Sequence, residues 1–139
     1  MPFAVTGRGA TLRDAFVDAA AAVLALTVDP ADVEEVEVRE VRAHGASEAA
    51  LLTNWINECL YVHEVEGFAC RRVELTVFET RAGAGGEPLR LHSLLHGEPL
   101  DPQRHRAVRT VKGVDPHSAS VRALADQHEV TVIVHADCL

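Results

Sequence analysis

The chain has no apolar run of the length a membrane span requires, about 18 residues or more. Its most apolar stretch, Ala19 to Val28, is short, alanine-rich and preceded by Arg13, Asp14 and Asp18, so it reads as core helix and no membrane partner is expected. The N-terminus shows no charged region leading into a long apolar segment; no secretory signal is visible, and the cytoplasm is the expected compartment. Cysteine is scarce. Cys59, Cys70 and Cys138 form an odd set without C-x-x-C spacing, which argues against a disulfide framework and against a zinc knuckle. A basic stripe is missing as well: the net charge is −8 with acids spread along the chain, so direct, strong binding of a nucleic acid is not expected. Such a surface suits docking on a basic protein, and it equally serves solubility. No P-loop, G-x-G-x-x-G, G-x-S-x-G or H-E-x-x-H occurs, and no local pattern marks a nucleophile, so intrinsic catalysis is not expected.

What is present fits one domain over residues 1–139, long enough to bury roughly two-thirds of its unfolded surface without metal or disulfide staples. Phe3 to Gly7 reads as a short strand. Thr11 opens a helix, with Asp14 three residues on in the manner of a capping box, and Leu12, Phe16, Ala19, Val23 and Leu26 on one face. Asp29-Pro30 ends it. Val33 to Val41 reads as a half-exposed antiparallel strand with Val36 and Val38 on one face and Glu35 and Glu37 on the other, broken at Gly45. A second helix is predicted from about Ser47, burying Leu52, Trp55, Ile56, Cys59, Leu60 and His63, with Asn54, Asn57, Glu58 and Tyr61 opposite. Strands follow over Phe68–Thr80, Leu89–His96, His105–Val114, Ser118–Leu124 and Val130–Asp137, with turns at Ala82–Glu87 and Ala125–His128. The predicted class is α+β: two helices packed on a mainly antiparallel sheet.

Eight histidines raise the question of a metal. His92 and His96 have helical ligand spacing, but on a strand four residues span about 13 Å, too far for one ion, and both read as solvent-face residues beside Arg90. His135 and Asp137 differ by two on the last strand and so leave the same face. The densest set of polar groups lies in Gly97–His117, GEPLDPQRHRAVRTVKGVDPH. Pro99, Pro102 and Pro116 forbid a helix there, which puts Asp101, Arg104, His105, Lys112, Asp115 and His117 on strand ends and loops. Asp101-Pro102 and Arg104-His105 also fit a structural turn clip in which Asp101 accepts backbone amides.

This segment resembles the archease family, whose pattern is close to G-E-P-x-D-P-x-R-H followed by V-K-A-V-T-Y-H. Trp55–Gly67, WINECLYVHEVEG, is similar to the family's W-L-N-E-L-L-Y-L-x-D-x-E-G. The resemblance implies nested strand-helix-strand-strand modules and an accessory role: a protein cofactor that promotes guanylylation and turnover of an RtcB-type RNA ligase in tRNA splicing or RNA repair. It further implies that Lys112, His117, Asp115, Asp101, Arg104 and His105 contact the partner. Asp115-Pro116 stands where the family has T-Y, and Ser118 where it has glycine. The family's final strand, V-x-L-D-hydrophobe, provides an aspartate that binds a divalent cation, Ca²⁺ or Mg²⁺, together with the aspartate of an N-terminal H-T-A-D motif. Asp137, followed by Cys138-Leu139, matches that aspartate by type, and counting from Val132-Ile133-Val134 puts His135 in its place. Only Met1-Pro2 precedes the first strand, so the H-T-A-D motif is absent, as expected of an internal start or of a divergent member. A single aspartate would hold such an ion only weakly.

Two other readings stay open. One is a metal-dependent small hydrolase using His117, His135, Asp115 and Asp137 in a deep pocket. The other is a ligand- or protein-binding module of the same fold without the ligase role. The accessory reading requires Asp137 to lie beside the loop that carries Lys112.

Overall fold

The computed structural model describes residues 2–81 and 88–138; the turn expected over residues 82–87 lies outside them. The described elements are β1 (Pro2–Gly9), α1 (Leu12–Ala25), a 3-10 turn (Pro30–Asp32), β2 (Glu37–Gly45), α2 (Glu48–Val65), β3 (Phe68–Glu79), β4 (Leu89–Pro99), β5 (Arg109–Val114), β6 (Ser120–Ala123) and β7 (His128–Cys138). The strands form two antiparallel sheets rather than one. In the first, β7 is central, with β1 on one side and β5 on the other, and β6 pairs the first half of β7. In the second, β4 lies between β2 and β3. Two helices packed on antiparallel sheets make the α+β class.

Both helices are capped as their sequences dictate. The Thr11 hydroxyl accepts from the Asp14 amide and the Ser47 hydroxyl from the Ala50 amide, each at 3.1 Å, satisfying N–H groups that the first turn leaves orphaned. α1 packs on β1 and β7 and reaches β3, while α2 packs on β2 and reaches β3, β4 and β5. One apolar core therefore runs through both sheets, from Val130, Val132 and Val134 of β7 to Leu91 and Leu95 of β4. Phe16 of α1 stacks on Trp55 of α2 at 6.3 Å between centroids and meets the edge of Phe78 at 5.0 Å. The one polar atom of Trp55 is not wasted: its Nε1–H donates to Ser93 Oγ (2.9 Å), which donates to the Val41 carbonyl (2.8 Å). That relay ties α2 to β4 and β2 while leaving no buried donor unpaired.

The starts of β2 and β5 and the end of β4 lie three or four residues from where the sequence reading places them. β2 starts at Glu37, four residues after Val33, and buries Val41, Ala43 and Gly45, so Val36 and Val38 face solvent. Val33 belongs instead to a small satellite cluster with Val28 and Ala69. β5 starts at Arg109 rather than His105, because residues 101–105 are folded into a turn. β4 extends to Pro99, carrying Gly97 and Glu98 into the sheet. Gly97 faces β3 so closely that a Cβ there would overlap the Ala69 carbonyl, and glycine alone allows the two strands to close at this point.

Candidate functional site

β7 alternates cleanly. Val130, Val132, Val134 and Ala136 are buried, which sends His135 and Asp137 to the outer face, where their side chains are about half exposed. β5 brings its own polar groups to the same face through a bulge. Thr110 opposes Asp137, Val111 opposes Ala136 and Gly113 opposes His135, leaving Lys112 as the extra residue. Gly113 closes the bulge at φ 153°, a conformation that L side chains rarely adopt. Lys112 Nζ then lies 3.1 Å from Asp137 Oδ2, and this ammonium holds the Asp137 carboxyl below its ordinary range. Two residues earlier on β7, His135 Nε2 lies 3.6 Å from Asp115 Oδ2. Asp115 is fixed by its own amide, which donates to the Ile133 carbonyl at 2.7 Å. The patch is thus two opposite-charge or polar pairs side by side on an open sheet face.

His117 does not join it. At φ 64°, exposed, it turns towards the start of α2 and lines a cleft with Pro116, Ser47 and Asn54.

Asp101, Arg104 and His105 form a different structure altogether. The Asp101 carbonyl accepts from the Arg104 and His105 amides (3.0 and 2.7 Å), and its carboxylate accepts from the Gln103 amide (3.0 Å), which is the turn clip anticipated for Asp101. The clip closes on Glu98, which the sequence reading passed over. Glu98 Oε1 accepts from Arg104 Nη1 (2.7 Å), and Oε2 accepts from Arg104 Nη2 (3.0 Å), the Glu34 amide (2.7 Å) and His105 Nε2 (3.0 Å). His105 Nδ1 accepts the Asp101 amide at 2.8 Å, so Nε2 carries the ring proton and donates it to Glu98. The Arg104 guanidinium, then the Glu34 amide and His105, hold the Glu98 carboxyl down at about 2. His105, expected at a partner surface, is 2% exposed: its ring is committed inward on both nitrogens and cannot reach a partner directly. The Arg104 side chain is about half exposed. The signal that could have revealed Glu98 is Gly97-Glu98 itself, an acid directly after a glycine at the end of an apolar strand.

The described residues bring together neither set of donors that the metal readings name. Among the described residues no group of three or more His, Cys, Asp and Glu side chains lies close enough to hold an ion. Asp137 faces an ammonium, which repels a cation, and His135 with Asp137 falls well short of the oxygen shell that Ca²⁺ or Mg²⁺ takes. His117 lines the cleft at the start of α2, while His135, Asp115 and Asp137 sit on the open face of β5 and β7. His96 pairs with Glu74 at 2.8 Å, as a strand-face residue rather than a ligand.

Fold and patch together define a small α+β protein that carries the Lys112–Asp137 and Asp115–His135 pairs on an exposed sheet face. Residues 3–135 match the model of the archease protein family, and the chain belongs to that family. It is 33% identical over 122 residues to protein archease of Pyrococcus abyssi and 32% identical over 122 residues to that of Thermococcus gammatolerans. Each alignment covers 88% of this chain and 82% of the relative. The solution structure of Methanobacterium thermoautotrophicum protein 1598 shares its fold, with a TM-score of 0.76 over 96% of this chain and 91% of that one, at 22% identity. The crystal structure of an archease, described as a possible chaperone, from Thermotoga maritima aligns with a TM-score of 0.58 over 95% and 88%, at 13% identity.

Proposed function

We propose that this protein acts in the cytoplasm as an accessory factor of an RtcB-type RNA ligase, docking transiently to promote ligase guanylylation and turnover in tRNA splicing or RNA repair. The ligase supplies the chemistry, and this chain supplies a contact surface. The observation that carries the reading is the 3.1 Å approach of Lys112 to Asp137 on an open face, within a chain of the archease family. An exposed ammonium–carboxylate pair is weakly held and can exchange partners, so on docking Lys112 can turn to an acidic or phosphate group of the ligase and Asp137 to a basic one. Asp115 and His135 extend the same face. The net charge of −8 favours a basic partner protein and disfavours direct binding of RNA.

The test is direct. Incubating the protein with a cognate ligase and GTP should accelerate formation of the covalent ligase–guanylate, with Lys112→Glu losing the acceleration. A wild-type chain that leaves the rate unchanged would refute the proposal.

A further inference from the structure

The bulge on β5 displaces one backbone amide. Beyond it Gly113 opposes His135 and Val114 opposes Val134, and the next amide, that of Asp115, donates to the Ile133 carbonyl at 2.7 Å. The Ile133 amide donates to Ser118 Oγ at 3.1 Å, so both main-chain groups of Ile133 are engaged by the chain that follows β5. Successive residues of a strand turn their amides to opposite sides, so with Asp115 donating to β7 the Val114 amide points away from it. Val114 is 6% exposed, and a buried amide left without an acceptor is costly.

Asn57 of α2 supplies the acceptor. Its Oδ1 accepts the Val114 amide at 2.9 Å, and helix and strand approach so closely that a Cβ on Gly113 would lie 3.2 Å from the same oxygen. Asn57 is exposed, so the hydrogen bond rather than packing is what its side chain gives to the fold.

The competing arrangement is defined by the register. Thr110 opposes Asp137 and Val111 opposes Ala136; continued without an extra residue, that ladder would set Lys112 against His135, Gly113 against Val134 and Val114 against Ile133. The Val114 amide would then take the Ile133 carbonyl in place of Asp115 and would need nothing from α2. A slip of one residue moves side chains to the other face, so Val114 would leave the core and Asp115 would leave the face it shares with His135. Lys112 would stand directly opposite His135. The two registers therefore compete for one carbonyl, and an acceptor on α2 for the displaced amide favours the bulged one.

We propose that Asn57 is the positioning residue of the patch: by accepting the Val114 amide it holds β5 in the bulged register that sets Lys112 against Asp137 and Asp115 against His135. Its consequence for activity rests on the reading that this patch contacts the ligase, whereas its hold on the strand does not.

Two substitutions separate what the side chain supplies. Asn57→Leu keeps a side chain of similar size and removes the acceptor, while Asn57→Asp keeps an acceptor oxygen. Leucine is a strong helix former and position 57 is exposed, so that variant stays folded; Asn57→Ala removes the acceptor without adding apolar surface and serves as its duplicate. Nuclear magnetic resonance reads the register without the ligase. Val114 and Val134 form a pair that is not directly hydrogen-bonded, in which the Cα atoms lie only about 4.5 Å apart, close enough for a strong Overhauser effect between their α-protons. The leucine and alanine variants should weaken that effect and show a new one between Gly113 and Val134, and the aspartate variant should keep the parental pattern. In the guanylylation assay, at a temperature where all are folded, leucine should reduce the acceleration about tenfold and aspartate should restore most of it. A side chain that mattered only as bulk would give the opposite order, with leucine tolerated and aspartate not. Leucine and alanine variants with the parental Val114–Val134 effect, or an aspartate variant that behaves like leucine, overturn the proposal and leave the accessory role untouched. A changed register with unchanged guanylylation would keep the hold of Asn57 on β5 and refute the patch as the ligase contact.

Discussion

Two groups of similar side chains, one folded from residues 98–105 and one joining β5 to β7, differ in burial. The clip around Glu98 joins an acid, an arginine and a histidine at 2.7 to 3.0 Å, with Glu98 5% and His105 2% exposed. The patch on β5 and β7 joins Lys112 to Asp137 and Asp115 to His135 at 3.1 and 3.6 Å, with every side chain about half exposed or more. In the clip both Glu98 oxygens and both His105 ring nitrogens are hydrogen-bonded and buried, so these two groups serve stability, while the Arg104 side chain stays about half exposed. In the patch the same chemistry is held loosely in water, where it contributes little to folding and can be redirected to another molecule. Residue type therefore does not assign function here. Saturation of the hydrogen-bonding groups does.

The sharpest way to break that comparison is to remove the centre of the clip. Glu98→Ala leaves the Arg104 guanidinium, the His105 Nε2–H and the Glu34 amide without their common acceptor, and should give the largest fall in melting temperature of any polar substitution in the chain. His105→Ala, which orphans the Asp101 amide, should cost about 2 kcal/mol. Neither should alter ligase guanylylation at temperatures where the variant stays folded. Thermal melts beside the guanylylation assay check both halves, and a Glu98 variant that melts like the parent would erase the distinction between the two regions.

Acid should act on the clip next. The Glu98 carboxyl is lowered in the fold to about 2 from an ordinary value of 4.5, so the unfolded chain takes up its proton first as pH falls. The stabilisation is thus fully present above 4.5 and is lost as pH drops through about 2. Arg104→Met, which removes the main cause of the depression, should flatten this part of the stability–pH curve measured by denaturant titration. Asp137 is shifted in the same direction by Lys112, but both groups are exposed, so Lys112→Met should leave the curve nearly unchanged.

Function should respond the other way round. Lys112→Glu puts like charges side by side on an exposed face, where the melting temperature should barely move, yet activation of the ligase should fall by about tenfold or more, since like-charge juxtaposition with a partner is costly. A double variant, Lys112→Asp with Asp137→Lys, restores the pair within this chain but reverses what each strand offers outward. Recovery of stability without recovery of activation would show that the partner reads the individual charges.

Much of this architecture was legible because periodicity reports burial. The caps at Thr11 and Ser47, the apolar face of α2 and the alternation along β7 all follow from local pattern. The errors arise where a long-range partner decides. Val36 and Val38 alternate as convincingly as Val41 and Ala43, and pairing with β4 alone puts the first two in solvent. The clip was visible as a turn through Asp101, but Glu98 as its centre was marked only by its place after Gly97, and an acid in a strand does not itself show which face it will occupy. Likewise the placement of Lys112 beside Asp137 depends on a bulge that no spacing rule announces, although Gly113 marks where one could form.

The smallest effect should come from His135. Its ring lies 3.6 Å from Asp115, longer than a hydrogen bond, and the side chain is 48% exposed, so His135→Ala removes neither a saturated contact nor a buried surface. The fold should not register the change, and guanylylation should fall only about two- to threefold, well short of the loss from Lys112→Glu. What makes this minor variant informative is its neighbour on the strand. His135 and Asp137 share a face two residues apart, and docking that used the whole face would couple them, so that His135→Ala and Asp137→Ala combined would lose more than the product of their separate effects. Strictly multiplicative losses in the guanylylation rate would instead confine the working contact to the Lys112–Asp137 pair, leaving the Asp115–His135 pair as surface decoration of β7.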